Sequence, residues 1–174
     1  MGLHIAIDGY NLIRQSSYFS TLDQQDLQSG REALVDSLAA YKKVKRYAIT
    51  VVFDGASAPA GMVRRDKIKG IELRYSRPGE LADAVIKRMA AREKQNLLVV
   101  SSDNEIVDYA QSMGSAVISA PEFEQRLTMA RFTDQEGGGT SDNSCGWLPT
   151  TKKKGPSRRL PKKKRRMAKR ISKL

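Results

Sequence analysis

The chain has 174 residues, 40% of them hydrophobic, enough for one domain with a real core. Its formal net charge of +12 is lopsided: thirteen of the 31 Lys and Arg lie in residues 151–174, which hold no Asp or Glu, so the first 150 residues are close to neutral. A single cysteine, Cys145, excludes an intrachain disulfide, and no apolar run approaches the roughly 18 residues of a membrane helix. The start, MGLHIAIDGYN, has no basic n-region ahead of its short apolar run, which predicts no signal peptide. These features predict a soluble, cytoplasmic protein with no membrane partner.

Leu3 to Ile7 is an apolar run without polar alternation, the pattern of a strand buried on both faces. Leu27, Leu34, Leu38 and Tyr41 then share one helical face, which predicts a helix over about 24–45. AITVVF, residues 48–53, reads as a second strand. Residues 56–70, ASAPAGMVRRDKIKG, have turn residues at both ends and four cations between, and read as an exposed loop or small excursion. Ile71 to Tyr75 is a third strand. Pro78 and Gly79 open a helix with apolar positions Leu81, Val85 and Met89, closed by Asn96. Leu97 to Val100 is a fourth strand. Ser102 and Glu105 have capping-box spacing, so a helix begins at Asp103, and Gly114 ends it. Ala116 to Ile118 is a fifth strand, and a last helix runs from Pro121 to about Arg131. The alternation predicts an α/β sandwich around a mainly parallel sheet. The folded domain is drawn at 1–132. Residues 133–150, with three consecutive glycines, read as a flexible linker, and 151–174 as a disordered basic tail.

Acids recur at the strand ends. Asp8 follows the first strand, Asp54 the second, and Asp103 the fourth after two serines. In an open parallel sheet, ligands bind outside the carboxyl ends of the strands. The three acids are therefore expected on one rim, with Glu80 and Asp83 sharing a face of the following helix and pointing there too. Each acid alone can equally cap a helix or begin a turn. Together they repel one another unless a partner balances them, and hard oxygen donors select Mg²⁺ or Mn²⁺. Asp8, Asp83 and Asp103 are the expected metal ligands. Asn11, Asn104, Ser101 and Ser102 can steady a carboxylate or phosphate by hydrogen bonding. His4, the only histidine, lies inside the first strand and reads as structural. That argues against a Ser-His-Asp or Cys-His mechanism.

Four spaced motifs carry a family resemblance: IDGYNLI at 7–13, VVFDG at 51–55, ELADAVI at 80–86 and VVSSDNE at 99–105. Together with SAPEF at 119–123 they resemble the YacP-type NYN domain, a branch of the PIN-like nucleases. The resemblance covers about residues 1–130, in the expected order. It implies a three-layer α/β/α sandwich acting as a metal-dependent ribonuclease, with no organic cofactor. By motif, Asp8 takes the first acidic position with Asn11 beside it, and Asp54 the second strand-end position. Asp83 takes the helical position with Glu80 one turn earlier, and Asp103 the last. Arg31 stands where such domains often carry arginine. SSDN departs mildly from the expected T-S-D pattern.

The tail, KKKGPSRRLPKKKRRMAKRISKL, lies outside those motifs. Cations that meet phosphates release counterions, so the tail is expected to bind RNA, either mRNA or ribosome-associated RNA. Lys162, Lys163, Lys164, Arg165 and Arg166 are its densest run. The stretch from about Arg165 to Leu174 can form a short basic amphipathic helix on RNA. Arg64, Arg65, Lys67 and Lys69 offer a second phosphate contact beside the acids. The competing readings are a non-catalytic RNA-binding protein of the same fold and a phosphoacceptor signalling domain. The latter needs a lysine near the last strand, and none follows Gly114 there.

Overall fold

The structure, a computed structural model, describes residues 2–57, 63–135 and 162–172. Its six strands are β1 (His4–Asp8), β2 (Ala48–Phe53), β3 (Arg65–Ile68), β4 (Ile71–Tyr75), β5 (Leu97–Val100) and β6 (Ala116–Ile118). They form one sheet in the order β3-β4-β2-β1-β5-β6, parallel throughout except for β3. Strand periodicity divides the core in two. Ile5, Ile7, Val51, Phe53, Leu98 and Val100 face one side, and Ala6, Val52, Leu97 and Val99 face the other.

The first side is covered by α1 (Gly9–Gln15), α2 (Ser17–Gln25), α3 (Leu27–Lys45) and α6 (Ala120–Gln135). The second is covered by α4 (Ala82–Glu93) and α5 (Asn104–Met113). The molecule is thus the expected three-layer α/β/α sandwich. The central strand β1 pairs with β2 on one side and β5 on the other, so the carboxyl ends of three neighbouring parallel strands meet at one rim.

Several local expectations change. α1 and α2 fill residues 9–25, a stretch whose apolar spacing is too sparse to announce two short helices. Asp8 and Ser16 cap them, accepting from the Asn11 N–H at 3.2 Å and the Phe19 N–H at 3.1 Å. The basic excursion contains a strand: β3 pairs antiparallel with β4 across the Lys69–Gly70 turn, where both residues have positive φ. α4 starts at Ala82, later than Pro78–Gly79, because Gly79 sits in a turn at φ 79°. The cap of α5 is Asp103 rather than Ser102, and Gly114 ends that helix at φ 92°.

α6 runs through Gln135, past the expected domain boundary at 132. Residues 136–150 lie outside the described residues. Within the expected disordered tail, α7 (Lys162–Ile171) is a helix. Met167 and Ile171, four residues apart on one face, pack against the core on the α6 side of the sheet. Arg126 of α6 donates to the Ile171 carbonyl at 2.8 Å. The tail's sparse apolar residues escape a composition argument because only their spacing makes a stripe. No helix among the described residues is long and apolar enough to cross a membrane.

Candidate active site

Asp8 ends the central strand and is 8% exposed. One oxygen, Oδ1, caps α1; the other, Oδ2, lies 3.5 Å from the buried Ser101 hydroxyl at the end of β5. Asp54, after β2, spends Oδ1 on the Ala82 N–H at 3.0 Å, which ties β2 to the start of α4. Asp103 spends Oδ1 on the N–H groups of Glu105 and Ile106, at 2.8 and 3.2 Å. Asp8 and Asp103 therefore serve as the helix caps that the simpler reading proposed, each with one oxygen only, whereas Asp54 bridges to a helix from outside it. Asp83 projects from the first turn of α4. Asp8, Asp54 and Asp83 line one cavity of about 290 Å³ together with Tyr10, Asn11, Arg14 and Gln15.

Electrostatics show that all four acids share a neighbourhood. Burial pushes the Asp8 carboxyl from 3.8 up to about 6. The Asn11 N–H opposes that rise, and the charges of Asp83, Asp54 and Asp103 add to it. Burial also raises Asp83, with the charge of Asp103 next and Lys87 in opposition. The donor set is all oxygen and suits a hard divalent cation, which relieves the mutual repulsion of these carboxylates; Asp8 is buried, Asp54 and Asp83 are half-buried and Asp103 is exposed. Among the described residues, no three acids stand close enough to grip one ion as they are.

The supporting residues divide. Asn11 is central: its Oδ1 accepts the Ser102 N–H at 3.0 Å, locking the end of β1 to the end of β5. Ser102 accepts the Ala120 N–H at 3.1 Å through its hydroxyl, and so positions α6. Arg31 turns inward rather than to solvent. At 5% exposure it donates to the Tyr10 hydroxyl and lies over the rings of Tyr10 and Phe53, 5.6 and 5.8 Å from their centroids. It supports Tyr10, which borders the acidic cavity, from behind.

Glu80 does not share a face with Asp83. It precedes α4, accepts the Arg77 N–H at 3.2 Å, pairs with Arg88 at 2.6 Å and borders a different cavity. Asn104 is exposed at the start of α5. Arg64, Arg65 and Lys67 are exposed on the β3 side of the sheet, whereas Lys69 pairs with Asp36 of α3. Arg165 is exposed on α7, and the side chains of Lys162, Lys163, Lys164 and Arg166 lie outside the described residues. His4 is held at the opposite end of β1 from Asp8, by Glu93 at 2.7 Å and Thr50 at 2.8 Å.

Two residues went unread in the sequence. Arg14 places a cation at the edge of the acidic cavity, 5.8 Å from the Tyr10 ring centroid. Its signal was the helical spacing from Tyr10, visible only once α1 is known. Ser76 donates to the Glu80 carbonyl at 2.6 Å and accepts the Gly55 N–H at 2.9 Å, clasping the loop that carries Asp54. No pattern marks it.

A mainly parallel α/β/α sandwich with acids on the strand-end rim defines the class: this is a PIN-like nuclease fold, associated with RNA cleavage. Residues 5–173 match the YacP-like NYN domain, and the chain belongs to that family. Among solved structures it is similar to Rae1 (YacP) from Bacillus subtilis, with TM-score 0.65 and 20% identity over 78% of this chain and 79% of that one. A single-substitution mutant of the same protein gives TM-score 0.63 and 21% identity, over 77% and 80% of the two chains. No curated protein matches the chain.

Proposed function

We propose that the protein is a metal-dependent endoribonuclease that hydrolyses RNA phosphodiesters at the rim of Asp8, Asp54, Asp83 and Asp103. The observation that carries this reading is the Asp8 carboxyl, buried among three other acids and pushed up to about 6. At neutral pH such a site holds more negative charge than its surroundings balance, and Mg²⁺ or Mn²⁺ is the hard cation its oxygens suit. Asp8, Asp83 and Asp103 would hold it, with Asp54 completing the negative rim. A cation bound there supplies a water nucleophile at neutral pH and positive charge for the departing oxygen.

The chain's own residues do the rest. Asn11 and Ser101 fix the orientation of Asp8. Tyr10, backed by Arg31, walls the cleft. Arg14 offers its guanidinium to the phosphate. The basic tail, including the exposed Arg165 and Lys169 of α7, anchors RNA nonspecifically, and the protein acts in the cytoplasm.

The wider spacing of the acids favours a second reading, an RNA-binding protein of the same fold without catalysis. One assay separates the two. A short RNA incubated with protein and Mn²⁺ or Mg²⁺ is cut, EDTA stops the cutting, and Asp8→Asn and Asp83→Asn abolish it. Binding without metal-dependent cleavage establishes the second reading. Cleavage that survives both substitutions shows that these acids are misassigned.

A further inference from the structure

Beyond the acidic rim, a second strongly charged feature of the described molecule is a cavity of about 520 Å³ between β3, β4 and α4. Six arginines line it: Arg64, Arg65, Arg74, Arg77, Arg88 and Arg92, with Glu80 the only acid among them. Three of the six already have carboxylate partners. Arg74 donates to Glu72 at 2.8 Å, Arg88 pairs with Glu80 and Arg92 with Glu93. Arg64, Arg65 and Arg77 are exposed, and their guanidiniums make no ion pair at hydrogen-bond distance among the described residues, although Glu72 lies near Arg65 and Glu80 near Arg77. Arg65 lies directly opposite Arg74 in the antiparallel ladder. Like charges in that relation repel, and Glu72, hydrogen-bonded to Arg74 and close enough to Arg65 to feel its charge, offsets part of the repulsion. A bound anion would offset more.

The cavity adjoins the acids through one short loop. Tyr75, Arg77 and Glu80 face the cavity, while Ala82 and Asp83, just beyond, face the acidic site. Asp54 holds the Ala82 N–H and Ser76 holds the Glu80 carbonyl, so this wall is fixed to the rim it borders. A polyanionic strand reaching over the wall meets carboxylates on one side and guanidiniums on the other.

We propose that this arginine cavity is a second, non-catalytic subsite that grips the phosphodiester backbone of single-stranded RNA a few nucleotides from the bond at the acids. The inference rests on the ribonuclease reading and adds where the rest of the strand goes. Phosphate oxygens replace water at the forked N–H groups of Arg64, Arg65 and Arg77. Contact through the backbone makes the subsite indifferent to base sequence.

The test uses the full chain carrying Asp83→Asn, so that strands are held uncut, and oligouridines of about four and about twelve nucleotides. Both arginines to be replaced are exposed, and an unchanged melting temperature verifies folding. The double substitution Arg65→Gln with Arg77→Gln is expected to shrink the affinity advantage of the longer strand about tenfold. The slope of log affinity against log salt is expected to fall by about 1.4, since each phosphate contact on a single strand contributes roughly 0.7. Arg65→Lys with Arg77→Lys keeps the charges and restores the slope. If the glutamine variant keeps both the length advantage and the slope, the proposal is overturned. If it loses binding of inorganic pyrophosphate yet keeps the length advantage, the cavity is a small-anion site and the strand proposal is equally overturned. Metal-dependent cutting by the unsubstituted chain reads the catalytic assignment separately. A length effect without cutting leaves the strand subsite standing and removes the nuclease.

Discussion

Asp8 shows how the site and the fold oppose each other at a single carboxyl. Its folded pKa, about 6, lies above the ordinary 3.8. The folded state therefore holds the proton more tightly than the unfolded chain. Stability from this group is complete below about pH 3.8, is lost as pH rises through the window to about 6, and stays lost above it. The upper bound of the loss is about 3 kcal/mol. Asp8→Asn keeps a side-chain oxygen for the Asn11 N–H and removes the charge. The metal-free variant is thus expected to be more stable than the parent at pH 7.5 and no more stable at pH 4, as read by urea denaturation at both values. Mn²⁺ should raise the parent's melting temperature more at pH 7.5 than at pH 5, because a protonated Asp8 cannot serve as a ligand. A shift independent of pH would remove Asp8 from the ligand set. Asn11 has a different duty. Its Oδ1 joins two strand ends, so Asn11→Ala should cost about 1–3 kcal/mol by leaving the Ser102 N–H without its acceptor. The same melt checks this, and an unchanged stability would show that the bond contributes nothing.

Among the elements, those with a strong period were legible and those made by local geometry were not. β1, β2, β5 and β6 stand where continuous apolar runs placed them, because strands buried on both faces have no other way to read, and β4 stands where expected although Glu72 and Arg74 alternate with its buried residues. α3 and α5 followed from apolar faces and end signals. α1 and α2 were missed because two short capped helices carry too few apolar positions to set a period. β3 was missed because an exposed edge strand of charged residues looks like a loop. The acids were legible for a topological reason, since parallel strands deliver their ends to one rim whatever the intervening sequence. Glu80 was misplaced because helical spacing was extended across a turn that precedes the helix. Gly55 marks the tightest joint between elements: a Cβ there would stand 2.1 Å from the Ser76 carbonyl oxygen. Gly55→Ala must displace the backbone that carries Asp54. It is expected to cost at least about 2 kcal/mol and to lower cleavage with it. A stable, fully active Gly55→Ala protein would show that this joint yields freely.

At the scale of the molecule, a nearly neutral sandwich carries its surplus positive charge in a terminal extension, part of which folds back as α7. The match of the family's domain reaches residue 173, so it takes in this extension. Removing 151–174 is expected to weaken RNA binding and flatten its dependence on salt. It should also lower the melting temperature modestly, because Met167 and Ile171 leave the core surface. Binding with the same salt slope after truncation would refute the anchoring role. The place of β1 has a further outcome during synthesis. It emerges among the first residues, yet one of its two partners is not made until residue 97 and the last acid not until 103. A nascent or prematurely terminated chain shorter than this lacks the inner strand's second neighbour and a quarter of the carboxylate set. The strand-end rim is therefore incomplete until more than half of the chain has been made.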